Sequence, residues 1–295
     1  MTSEIILDEK QTSGEHFLHS KTVLEFGCTN WIYDHHKAKE EERYQMLDDL
    51  HLKAGDVVLD LGCGPGFWTV MLAEKVKPDG KVIGIDLTPE FLSYARENLQ
   101  KHPLKNMIEF QKGDFYHLPF EDNYFDVVFF GNAFAYVPDR LKLKALEEQK
   151  RVTKKTGKVI AKDFDGAVLI YHPIDPHLTL KVLTATAQAL NENPPNAFFE
   201  NFAGRKLPGL FREVGLKNRS TKTYAIQKIP PLTAETKRYI TGNATWHANI
   251  AVSYLSQEDF QQWHAHFDPT SDQYILDRDD FYSCMLEIIT IGTVV

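Results

Sequence analysis

Short apolar runs bounded by turn residues recur along this chain, and between them lie stretches in which apolar residues return every three or four positions. Residues 57–61, 81–86, 107–112, 125–130 and 157–164 are of the first kind, and the pattern predicts strands buried on both faces. Residues 67–76, 89–101 and 139–153 are of the second kind and are expected to be helices. Thr88-Pro89-Glu90 predicts a helix start, with a capping hydroxyl, a first-turn proline and early negative charge. The alternation of strand and helix is the rhythm of a doubly wound, mostly parallel α/β sheet.

Beyond residue 165 the rhythm loosens. A helix is expected near 176–191, stopped by Pro194-Pro195, and another over Arg205–Val214, closed by Gly215. Strands are expected near 218–227 and 281–292. The chain thus divides into an N-terminal helical cap (1–54) with a mobile leading tail, a core (55–165), an insertion (166–203), a core continuation (204–229), a second insertion (230–280) and a final core strand (281–295). Both insertions are read as lids over a substrate.

The candidate chemistry begins where the first strand ends. Asp60-Leu61-Gly62-Cys63-Gly64-Pro65-Gly66 carries a buried strand into three alternate glycines and then a helix. Such a turn lets the backbone approach a ligand while the helix presents its unpaired N–H groups. The second strand closes on Asp86, twenty residues past the last glycine, where this architecture places the acid that accepts from ribose hydroxyls. A nicotinamide fingerprint is G-x-G-x-x-G, whereas the glycines here fall as G-x-G-x-G.

These residues resemble the class I, Rossmann-like S-adenosylmethionine-dependent methyltransferases, and most of the chain takes part. Residues 60–66 resemble the first motif of that family, Gly84-Ile85-Asp86-Leu87-Thr88 its second strand end, and Lys112-Gly113-Asp114-Phe115 its adenine-binding turn. Residues 125–132 resemble the fourth strand and its active-site exit. Arg151–Val159 is similar to the turn into the fifth strand, with Thr156 and Lys158 standing where the family has proline and glycine. The likeness is greatest to the small-molecule branch that includes quinone and natural-product methyltransferases. It implies a seven-stranded sheet with an antiparallel last strand, and S-adenosylmethionine as cofactor. By the same resemblance Gly62, Gly64 and Gly66 admit the methionine portion, Asp60 orients its amino group and Asp86 takes the ribose hydroxyls. Asp114 and Phe115 hold the adenine, on which Leu87 packs. Tyr33, Cys63, Gly113 and Asn132 complete the expected cofactor site. Asp86 and Asp114 also have a purely structural reading as turn caps.

Composition narrows the partners. A net charge of −8 gives no basic surface for nucleic acid or an anionic membrane, and Lys150, Arg151, Lys154 and Lys155 read as a solvated helix end. Three cysteines without C-x-x-C spacing suggest reduced thiols and no zinc. No apolar run reaches membrane-spanning length and residues 1–17 do not form a signal peptide, so a cytoplasmic protein acting on a small molecule is expected, with oligomeric state open.

The catalytic group is open among His36, Asp163 and His247. His264 and His266 stand two apart, a spacing that puts them on different faces of a helix, and no metal is expected. Arg205 serves either a substrate carboxylate or the fold. Asn193-Pro194-Pro195-Asn196 imitates the tetrapeptide of base-methylating enzymes but stands after the fifth strand. The reading is methyl transfer to an oxygen or nitrogen, less so a carbon, of a partly apolar metabolite. Its alternatives are a cofactor-binding scaffold, sensor or cyclase on this fold, and a nicotinamide oxidoreductase.

Overall fold

The computed structural model describes residues 29–192 and 199–295. The leading tail, Cys28 and the Asn193–Asn196 segment lie outside them. Strands β1 (Val57–Leu61), β2 (Lys81–Asp86), β3 (Ile108–Lys112), β4 (Phe125–Gly131), β5 (Thr153–His172), β6 (Lys217–Lys228) and β7 (Tyr282–Thr293) form one sheet in the order β3-β2-β1-β4-β5-β7-β6. The first five run parallel, and β7 is inserted antiparallel between β5 and β6. The order reverses between β1 and β4, so their carboxyl ends open a crevice where α/β sheets bind ligands.

Helices α1 (Thr29–Ala38) and α2 (Glu40–Asp49) form the cap, and α3 (Phe67–Val76), α4 (Pro89–Leu99) and α5 (Asp139–Val152) connect the parallel strands. The run Val57–Leu61 is nearly all buried because helices cover both sheet faces. Leu72, Trp68 and Phe129 belong to one apolar layer and Leu59, Ile83 and Phe130 to the other. Thr88 makes no side-chain cap bond to α4; its backbone N–H instead donates to Asp86 Oδ1 at 2.8 Å. The basic cluster is tethered inward: Arg151 donates to the Leu118 and Phe120 carbonyls, and Lys150 to the Val214 carbonyl.

β5 runs on to His172, past the expected end at residue 164. Its register slips between Asp165 and Leu169, then pairing with β7 resumes at Leu169–Met285, so a bulge interrupts the strand without ending it. Helix α6 (Pro176–Glu192) follows, then α7 (Ala203–Glu213), and between β6 and β7 come α8 (Ala234–Ala251) and α9 (Gln257–Ala265). The Thr186 hydroxyl of α6 donates to the His247 carbonyl of α8 at 3.1 Å. Arg238 of α8 makes a bidentate pair with Asp34 of α1 at 2.7 and 2.8 Å. Both insertions and the cap thus pack together over the crevice.

Candidate active site

The crevice is a cavity of about 380 Å³, walled by the carboxyl ends of β1, β2 and β4, by the bulge of β5, by α1 and by α8. That volume lies in the range of small-molecule sites. Gly62, Cys63 and Gly64 face it from the loop after β1; Asp86 and Leu87 from β2; Gly113, Asp114 and Phe115 from the turn after β3; and Asn132 from β4. Four segments far apart in sequence converge there because their strands are neighbours in the sheet.

Asp86 is arranged as a double acceptor. Gly64 N–H donates to its Oδ2 and Thr88 N–H to its Oδ1, both at 2.8 Å. Each oxygen keeps a lone pair for the cavity, which suits two vicinal hydroxyls. Burial pushes the carboxyl upward, against the pull of these two backbone donors. Asp114 Oδ1 accepts from Tyr116 N–H at 2.9 Å, which fixes the turn beside it.

Asp60, Gly66 and Tyr33 stand off the cavity wall. Asp60 lies under the loop, fully buried, where its Oδ2 accepts the Thr69 hydroxyl at 2.6 Å and burial raises it to about 7. Gly66 begins α3 at φ 84°, and a Cβ there would stand 2.6 Å from Phe110 Cζ. Gly66→Ala is therefore expected to cost about 1–2 kcal/mol from the left-handed backbone alone, read as a lower denaturation midpoint. Unchanged stability would show that the loop relaxes freely. Tyr33 is more than a third exposed and meets the Phe67 ring edge-on at 6.1 Å.

Of the three catalytic candidates, the structure brings only His247 to the cavity. His36 faces the outer side of the glycine loop, stacked at 4.5 Å on Phe67 and bonded at 2.9 Å to Arg43. It is its neighbour His35, a hundred degrees round the helix, that lines the site. Asp163 is fully buried and raised by burial to about 6; it accepts the N–H groups of Ala135 and Phe164, each at 2.9 Å, and so pins the β4 exit. His247 is buried and lowered by burial to about 4, so it stays neutral, and its Nδ1 has no hydrogen-bond partner among the described residues. Arg205 pairs with Asp165 at 2.5 and 2.6 Å. His266 Nδ1 meets the Gln273 carbonyl, and no metal-binding group of side chains occurs among the described residues.

Several functional candidates were invisible to motif reading. Lys39 and Arg43, buried on the cap, line the cavity, and behind them stand Lys162 of β5 and Glu287 of β7, both fully buried. Lys39 Nζ lies 2.7 Å from Glu287 Oε1 and Lys162 Nζ 2.6 Å from Oε2, and Lys162 also donates to Asn132 Oδ1. Burial alone would raise Glu287, but the three cations around it hold it well below the usual carboxylate range; Lys162 is lowered by burial to about 8. The signal available in the sequence was Glu287, the one charged residue within the apolar run Tyr282–Thr293.

The cavity fits an adenosyl sulfonium cofactor on structural grounds: a double acceptor for a ribose, a turn beside Asp114 for an adenine, and a glycine loop between them. A profile of the family described as a methyltransferase domain matches residues 52–224, well over half of the chain. The chain is similar to the demethylmenaquinone methyltransferase of Bacillus mycoides (strain KBAB4), 33% identical over 202 residues that cover 65% of this chain and 81% of the relative. To that of Lactobacillus johnsonii it is 40% identical over 117 residues, 40% of this chain and 47% of the relative, so it spans about half of that protein. Among solved structures, the YcgJ protein of Bacillus subtilis superposes with a TM-score of 0.53 at 21% identity, covering 88% of this chain and 98% of the other. The [4+2]-cyclase SpnF does so at 0.51 and 16%, covering 86% and 81%, and these two likenesses show the fold. From the matched profile and the similarity to curated relatives, the chain belongs to the class I, Rossmann-like S-adenosylmethionine-dependent methyltransferases.

Proposed function

We propose that this enzyme methylates a small aromatic, quinone-like metabolite, at an oxygen or nitrogen in preference to carbon. One observation carries the reading. The ends of β2 and β5 lie three strand spacings apart, roughly 14 Å, and the walls differ accordingly. Asp86 and Asp114 mark the polar β2–β3 side. On the β5 side Phe199 stands 5.5 Å from Tyr136, 6.3 Å from Phe164 and 5.5 Å from Trp246, a wall suited to a flat apolar ring. The curated relatives are named for demethylmenaquinone, which is such a ring system.

When bound, the cofactor supplies an activated methyl group. The chain's part is to align and to exclude water. Asp86 would take the ribose hydroxyls, the loop at Gly62–Gly64 would hold the methionine portion, and Asp60, buried under that loop, would supply a negative charge toward its amino group. Asn132, held at φ 58° and by Lys162, marks the boundary between cofactor and acceptor. His247, neutral and with no partner for Nδ1 among the described residues, offers the acceptor a hydrogen bond.

Incubation with methyl-labelled S-adenosylmethionine and a panel of phenols, quinols and arylamines tests the proposal: label should enter an aromatic member, and transfer confined to aliphatic acceptors would overturn it. Asp86→Ala is expected to weaken cofactor binding about ten- to a hundredfold, since charge-assisted hydrogen bonds contribute about 1.5–3 kcal/mol. Calorimetry with S-adenosylhomocysteine reads this directly, and undiminished affinity would remove Asp86 from the cofactor site. Asp86→Asn should cost as much, because its amide would point a donor at a backbone N–H.

A further inference from the structure

The charges behind the cap do not balance. Lys39, Arg43 and Lys162 surround one buried carboxylate, Glu287, whose two oxygens are already taken by the two lysines. Among the described residues no carboxylate lies within 4 Å of Arg43; its guanidinium bonds His36 Nδ1, lies 5.0 Å over Trp68 and leaves Nε without a partner. Three further carboxylates act at longer range: Glu40 and Glu42 on Arg43, although Lys37 and Lys228 hold them, and Asp163 on its neighbour Lys162. His35 is neutral, lowered well below its ordinary range by burial and the cations, and stacks on the un-ionised Tyr239 at 5.1 Å, over which Lys39 lies at 4.9 Å. A buried cation with no carboxylate in contact is costly, and Arg43, with Lys39 beside it, opens onto the cavity.

We infer that this wall receives an oxyanion of the methyl acceptor, a carboxylate or an ionised hydroxyl, which completes the counter-charge that Glu287 supplies only in part. The inference rests on the proposed aromatic acceptor and adds its charge. Lys39 and Arg43 rise from the cap, the aromatic wall from β5 and α8, and both bound the same cavity. A flat ring against Phe199 and Trp246 can therefore turn an anionic substituent toward the lysine. Lys162 lies behind, off the wall, where its bonds to Glu287 and Asn132 hold the cluster in place.

The test uses the enzyme saturated with S-adenosylhomocysteine and titrated calorimetrically with 2-naphthoate, 2-naphthol and the neutral isostere 2-naphthamide. Naphthoate, or naphthol bound with release of a proton to buffer, should bind at least about tenfold tighter than naphthamide. The first outcome assigns a carboxylate, the second an ionised hydroxyl. Lys39→Met should erase the preference and Lys39→Arg should keep it, with S-adenosylhomocysteine affinity equal in all three proteins. Glu287 keeps Lys162 as partner in both variants, so the fold is not left with a stranded carboxylate. Naphthamide binding as tightly as the anions would overturn the inference and leave the aromatic reading standing. Failure of all three naphthalenes would end both. If Lys39→Met weakens S-adenosylhomocysteine by the factor it weakens naphthoate, the charges serve the cofactor's own carboxylate and the inference falls.

Discussion

Glu287→Gln is expected to lower folding stability by about 3–5 kcal/mol, because it leaves Lys39 and Lys162 buried with no counter-ion. In a chain of this size that is a fall in midpoint temperature on the order of 10 °C. Glu287 lies on a strand with neighbours on both sides and is fully buried, so water does not take the place of the lost charge. Added salt should restore little, since buried pairs are poorly screened. Glu109→Gln is the control: its partner Lys81 sits at 2.8 Å, but both are nearly half exposed, and the loss should stay below about 1 kcal/mol. Chemical denaturation of the two variants decides the matter, and equal, small losses would mean that the cluster is hydrated or otherwise neutralised.

Asp60→Asn should act in the opposite direction and only above acid pH. Burial raises Asp60 to about 7 from an ordinary 3.8, so between those values the folded protein keeps a proton that the unfolded chain has lost. Stability from this group is fully present below pH 4, drains away as pH climbs through the window, and is at its lowest above 7. The asparagine cannot ionise, yet its carbonyl can still accept the Thr69 hydroxyl. At pH 8 the variant should therefore be the more stable protein, by a margin on the order of 2–4 kcal/mol, and at pH 4 the two should converge. Denaturation at both pH values measures this, and a pH-independent difference would refute it. Cofactor affinity should fall in the same variant, because a cation above Asp60 draws off the proton that the asparagine does not have.

The β1–β3 side of the cavity, where the nucleotide is proposed to lie, was legible in the sequence because its determinants are local. Gly62, Gly64, Asp86 and Asp114 each stand within a few residues of a strand end, and the β-α-β order brings them together. The side proposed for the acceptor was not. Lys39, Lys162 and Glu287 meet across a sheet order that interleaves the last strand between the fifth and sixth, and no spacing rule links positions so far apart. His35 was passed over for His36 since two adjacent histidines carry no spacing signal that says which of them faces the site. The end of β5 was misplaced at residue 164 because the bulge between Asp165 and Leu169 breaks the alternation that marks a strand, though not its pairing.

The contact between Lys39 and Glu287 joins positions 248 residues apart, and Met285 and Leu286 of the same strand wall the cavity. On a ribosome adding about 5–20 residues per second, Asp86 emerges on the order of ten to forty seconds before β7 exists. For that interval the glycine loop has Asp86 beside it but no floor beneath the cap, and β5 and β6 have no strand between them. A nascent chain thus carries the address of its cofactor long before it can shelter it, and β5 is the edge that must be kept from pairing with a stranger in the meantime.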